Sequence, residues 1–125
     1  MSETKERRKA PKMKTANILG TIYRIEYAKS TEDSVIGKEG DAYCDWTGKK
    51  IVLQDPEDAD GNLADMDAYW RKTLRHEILH AFLFESGLAQ NSFQTDAWAQ
   101  NEEMIDWLAF MGPKIINAWE EAGCL

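Results

Sequence analysis

A chain of 125 residues with 43% hydrophobic and 30% charged side chains is large enough to bury one core and too well mixed to be fibrous or disordered. The net charge of −7 is uneven: six Lys/Arg stand against Glu3 and Glu6 within residues 1–14, leaving nine basic and twenty acidic side chains in the rest. So acidic a body repels phosphate backbones, which argues against nucleic acid as a partner.

Residues 1–14 read as a basic, flexible leader, and residues 15–125 as a single domain. No apolar run has the length of a membrane span and the start lacks a secretory stretch, so the expected setting is cytoplasmic, with no membrane partner. Cys44 and Cys124 are too few for a disulfide framework and form no C-x-x-C pair, so both are expected to be reduced thiols.

In chain order, the first element is the strand Gly20 to Ala28, where Ile22, Arg24 and Glu26 alternate with Tyr23, Ile25 and Tyr27. A polar, glycine-bearing connection follows, with at most a short irregular element around Val35 and Ile36. "AYCDWTGKKIVLQ" reads as a β-hairpin turning at "DWTGK", with Gly48 supplying a positive φ. "DPEDADGNLAD" is an acidic loop lacking the ligand spacing of a calcium-binding hand, and its Asp65 is placed to cap a helix. Nothing breaks a helix from Met66 to Ser86, and Gly87 is a natural stop. A second helix is expected over Ala97 to Met111, interrupted at Gly112 and Pro113 before a final short helix. Strands followed by helices make a small α+β domain.

The two histidines of the chain fall in "RHEILH". Four residues apart on a helix, His76 and His80 share a face and can present both imidazoles to one divalent metal. Glu77 lies about 100° round the helix from His76, flanking that point without competing for the same coordination position. A zinc ion with three protein ligands keeps a position for water and lowers its pKa toward about 7. His-Glu-x-x-His therefore encodes two ligands and a general base. The alternative, two neutral histidines buried in a core helix, leaves the intervening charge of Glu77 unexplained.

No third histidine exists, so the third ligand must be an acid. The metzincin pattern needs glycine and histidine where Leu83 and Ser86 stand. Glu85 lies five residues past His80, about 140° round the helix, and points away. "NEEMID" supplies Glu102, which shares a helical face with Trp98, Ile105 and Ala109; Glu103 is the rival ligand. Asp106, one turn on, can accept the outer N–H of a ligand histidine.

"HEILH" followed some twenty residues later by "NEEMID" resembles the gluzincin arrangement of thermolysin-like metallopeptidases. Over roughly Ile51 to Ala109 the chain is similar to minigluzincins and to small phage or prophage-type metallopeptidases. The resemblance implies a zincin-like domain and a zinc peptidase in which His76, His80 and Glu102 bind Zn2+, Glu77 is the general base and Asp106 orients a histidine. It implies a peptide or protein substrate, aligned by an edge strand for which Lys49 to Gln54 is the candidate. Thermolysin-like enzymes also stabilise the oxyanion with a further histidine and a tyrosine; here only Tyr23, Tyr27, Tyr43 or Tyr69 could serve. The alternative function is a catalytically silent module braced by the same zinc ligands. Cys124, which could in principle cover a zinc, is read as a free thiol.

Overall fold

A computed structural model describes residues 14–58, 64–91 and 101–125. The leader up to residue 13 and the expected helix start at Ala97 and Trp98 lie outside the described residues.

The chain forms a four-stranded mixed sheet followed by helices, a small α+β domain. The sheet opens with a strand that the sequence reading absorbs into the leader and its sequel. β1 (Lys14–Ile18) pairs antiparallel with β2 (Thr21–Ala28), with Ile18 opposite Thr21. Leu19 and Gly20, at φ of 54° and 92°, make the turn, and two positive φ values in succession suit the right-handed twist of the flanking strands. Asn17 Oδ1 accepts from Gly20 N at 2.7 Å and holds it. Alternation then decides the faces: Ala16, Ile18, Tyr23 and Ile25 are buried, while Thr15, Asn17, Ile22 and Arg24 are exposed.

β3 (Ala42–Asp45) and β4 (Lys50–Gln54) form the expected hairpin, but Gly48 is not its positive-φ residue; Lys49 is, at φ 54°. Asp45 Oδ1 accepts from the Thr47 and Gly48 backbone N–H groups and from Thr47 Oγ1, so three donors on one carboxylate shape the turn. β4 is not an edge either. It lies parallel to β2 and antiparallel to β3, which gives the order β1-β2-β4-β3 and makes β3 the edge. Ile51, Val52 and Leu53 of β4 are buried in succession, whereas β2, the other interior strand, keeps the buried-exposed alternation.

α1 (Met66–Glu85) begins where Asp65 accepts from Ala68 N at 2.9 Å and ends at Ser86 before Gly87, φ 84°. Leu74, Ile78, Ala81 and Phe82 are buried against the sheet. A fully buried side chain of this size stabilises by roughly 1.5–3 kcal/mol. After the short α2 (Leu88–Asn91), α3 (Glu102–Glu121) starts at Asn101, whose side chain accepts from Met104 N. α3 runs through Pro113 without the expected break. Pro113 and Ala109, whose carbonyl loses its helical donor, are both exposed, so water can take the vacant bond.

α3 packs with its second half, through Ile115, Ala118 and Ala122. Phe82 and Ala118 line one cleft, and Arg75 Nη1 donates to the Cys124 carbonyl at 2.7 Å, so α3 runs antiparallel to α1. Lys14 Nζ donates to the Ala122 carbonyl and Glu121 accepts from Asn17 N, which ties the same half to β1. Lys14 is therefore part of the fold rather than of the leader. Among the described residues no helix is long and apolar enough to cross a membrane.

Candidate active site between the first helix and the edge strand

The spacing of four puts His76 and His80 one turn apart, and both are exposed on one flank of α1. Their Nε2 atoms stand 3.1 Å apart and the rings cross at 70°. Two nitrogens bound tetrahedrally to one zinc at ~2.05 Å each would be ~3.3 Å apart. The pair thus has the separation of two donors to one ion; without one, a shared proton can join them. Desolvation, then the neighbouring His76, holds the His80 imidazole below its usual pKa, favouring the neutral form that a metal ligand requires.

Glu77 faces the other way round the flank, toward the sheet, and is 8% exposed. Burial, reinforced by the charge of Asp41 and opposed by His76, raises its pKa above the carboxylate norm. Among the described residues no hydrogen bond holds its carboxylate. A largely buried carboxyl with no protein partner among the described residues and a raised pKa suits proton transfer rather than structure.

β3 lies against this flank and runs in the same direction as α1. At one end the Tyr69 hydroxyl donates to Asp41, just before β3, and Thr73 Oγ1 turns back to the Tyr69 carbonyl. At the other end Trp46 stacks on Phe84, centroids 5.5 Å apart and planes 14° off parallel. His76, Glu77 and His80 sit between these two bridges, beside the open edge of β3. Sequence reasoning misses Asp41, Trp46 and the edge role of β3, because each depends on two remote segments meeting.

Of the candidate tyrosines, Tyr69 lies on the histidine stripe, seven residues before His76 and so within about 20° of it round the helix. Its hydroxyl is engaged by Asp41, which pushes its pKa up. Tyr23 donates to Glu85 at 2.6 Å, and Tyr43 to Asp33 at 2.6 Å with its pKa pushed up to about 12 by burial and by that bond. Tyr27 carries a pKa raised by burial. The Cys44 thiol, half-buried near Glu77, is pushed up to about 12 by burial and then by the Glu77, Asp45 and Glu85 charges, so it is no nucleophile at neutral pH. Cys124 is a free thiol as expected; it is buried, and its Sγ lies 3.5 Å from the Trp119 carbonyl oxygen.

Glu85 does point away from the histidines. It accepts from Tyr23 Oη, from Lys49 Nζ at 2.7 Å and from Thr21 Oγ1 at 3.3 Å, and so pins the end of α1 to the sheet.

The structure does not bring Glu102, Glu103 or Asp106 to the histidine pair. All three are exposed, and Glu102 and Glu103 occupy the first turn of α3, where carboxylates favour the positive helix end. The shared face of Glu102 and Ala109 is the outer one; the inner one runs through Trp107, Met111, Ile115 and Ala118. Glu102 stands sixteen residues before Ala118, hence roughly 24 Å along the axis of α3 from the half that packs on the core. Among the described residues no three His, Cys, Asp or Glu side chains gather where they could hold a metal ion.

A cleft of about 520 Å³ between the β1–β2 turn, Phe82 and the Lys114–Glu121 stretch of α3 holds none of the predicted site residues. No family model, curated protein or solved structure matches the chain, so the chemistry of the site alone carries its functional reading.

Proposed function

We propose that the chain is a zinc-dependent peptidase of the gluzincin type. One observation carries this reading: two imidazole nitrogens 3.1 Å apart stand beside a buried carboxyl of raised pKa. His76 and His80 would hold the ion, with Glu102 as third ligand, Glu103 as its rival and Asp106 as partner to a ligand N–H. When bound, zinc supplies a Lewis acid and a water acidic enough to be a nucleophile at neutral pH.

Glu77 accepts the proton of the attacking water and returns it to the leaving amine. Burial favours its protonated form, so the proton is held between the two steps. The open edge of β3 offers main-chain donors and acceptors to an extended peptide, which would lie along the helix flank carrying Glu77. This edge replaces Lys49 to Gln54 as the aligning strand. Tyr69 would serve the oxyanion only after leaving Asp41. The acidic body disfavours nucleic acid, and a cytoplasmic setting accords with the reduced cysteines.

Cleavage of a peptide library by the zinc-loaded protein, with wild type and Glu77→Gln compared at equal metal content, tests the reading. Hydrolysis lost in Glu77→Gln while zinc stays bound is the expected result. A wild type that holds zinc but cleaves nothing in the library leaves the silent, zinc-braced module instead.

A further inference from the structure

We propose that the open edge of β3 reads the sequence of the peptide it holds, taking an apolar residue over Trp46 and the cationic residue that follows it beside Asp45. The inference rests on the peptidase reading for the claim that the bound segment is cut, and adds to it which segment is chosen.

The main chain sets the register. Gln54 N donates to the Asp41 carbonyl at 2.8 Å, and the pairs Tyr43↔Val52 and Asp45↔Lys50 continue the same ladder. Bonded and non-bonded pairs alternate in an antiparallel ladder, so Asp41, Tyr43 and Asp45 turn their main-chain groups toward β4, while Ala42 and Cys44 turn theirs outward. Among the described residues nothing pairs with that edge. An added strand bonds to Ala42 and Cys44 through two of its own residues, two apart, and antiparallel addition is the more stable form.

The side chains set the selection. Ala42 and Cys44 pack toward α1, and Trp46 shares their face and stacks on Phe84. Trp46 remains 40% exposed at the end of the edge. In an antiparallel peptide, the residue just before the one opposite Cys44 stands opposite Asp45, and the residue before that stands opposite Trp46. Directly opposed residues share a face, so the latter lays its side chain against the Trp46 indole.

The residue opposite Asp45 points to the other face, beside that carboxylate. Asp45 Oδ1 is taken by the three donors of the turn, whereas Oδ2 accepts no hydrogen bond among the described residues. Lys50 opposes Asp45 on β4 without forming an ion pair with it, and the Lys49 ammonium, 5.8 Å from the Trp46 ring centroid, is bound by Glu85. With Asp41 and Glu77 also close to the strand, carboxylates outnumber free cations there and favour a cationic partner. Cys44 lies near Glu77, so the peptide residue opposite Cys44 is the one presented to the general base.

The experiment titrates the isotope-labelled full-length protein, without added metal, with the capped peptide Ser-Phe-Lys-Ala-Ser-Ala, whose first alanine belongs opposite Cys44 and whose last belongs opposite Ala42. Binding should move the amide signals of Ala42 and Cys44 and the indole signal of Trp46. Replacing phenylalanine by serine should weaken binding about five- to tenfold, and replacing lysine by glutamate about threefold. N-methylation of the first alanine removes the N–H that meets the Cys44 carbonyl and should weaken binding roughly tenfold; N-methylation of the lysine, whose N–H points away, should not. Trp46→Ala should erase the preference for phenylalanine. Asp45→Asn, which keeps an acceptor for the turn, should erase the preference for lysine. The two N-methyl peptides read the register on wild type should either variant fail to fold. Amide signals of Ala42 and Cys44 unmoved by millimolar peptide, equal weakening by the two N-methyl groups, or a preference for glutamate over lysine overturns the inference. With zinc added, the parent peptide should be cut ahead of the serine and glutamate versions. A peptide held in this register yet never cut supports the selection and overturns the peptidase reading. Cleavage indifferent to both residues overturns the selection and leaves the peptidase reading standing.

Discussion

Glu77 and Glu85 lie on one helix, eight residues apart, and the surroundings of each drive its carboxyl in opposite directions. At Glu77, burial raises the pKa and, among the described residues, no hydrogen bond resists it. At Glu85, burial also pushes upward, but the bonds from Lys49 and Tyr23, the Lys49 charge and the Thr21 hydroxyl outweigh it, and the pKa falls below normal. The comparison separates a carboxylate that holds the fold from one that the fold leaves unsatisfied. Burial alone does not mark a functional acid; burial without a partner does.

The sharpest way to break this contrast is Glu77→Gln, which should lower kcat by about 10²–10⁴-fold while leaving the unfolding midpoint unchanged or raised. A large loss of stability in that variant would show that Glu77 is structural after all. Glu85→Ala should do the reverse, costing about 1–3 kcal/mol in urea unfolding, chiefly because the buried Tyr23 hydroxyl keeps its place without an acceptor while water can serve the Lys49 ammonium. pH separates the two further. The folded pKa of Glu85 lies below its unfolded value of 4.5, so its contribution is complete above that pH and is lost as pH falls through the folded pKa. Lys49, Tyr23, Thr21 and the neighbouring Cys44 are the groups facing it. Unfolding midpoints of wild type and Glu85→Gln should therefore diverge above pH 4.5 and converge in acid. The smallest effect is expected one residue away: a double-mutant cycle on Trp46 and Phe84 should give a coupling of about 0.5–1.5 kcal/mol, independent of pH.

What could be read along the chain was what depends on neighbours in sequence. The strand through Tyr23 and Ile25, the cap at Asp65, the stop at Gly87 and the histidine spacing are all of this kind. β1 was hidden because its five residues, Lys14 to Ile18, include only two buried apolar side chains and adjoin a basic run. Gly48 seemed the obvious left-handed residue, yet Lys49 takes that conformation, in a hairpin whose turn Asp45 shapes and from which its own ammonium reaches Glu85. The break expected at Gly112–Pro113 follows from propensity; packing and solvent exposure allow a continuous helix instead. Nothing local could pair Asp41 with Tyr69 or Trp46 with Phe84, since β3 and α1 meet only once the sheet is built.

The order β1-β2-β4-β3 has a consequence for how the molecule assembles. The sheet is two local hairpins joined by one ladder, β2 to β4, with Arg24 opposite Lys50 and Ala28 opposite Gln54. Each hairpin closes a short loop, whereas the seam must close 26 residues, so the seam carries most of the loop-closure entropy within the sheet. Docking of preformed hairpins along β4 is then the slow step. Truncating Ile51 should slow folding, while truncating Ile22, exposed and remote from the seam, should leave the folding rate nearly unchanged.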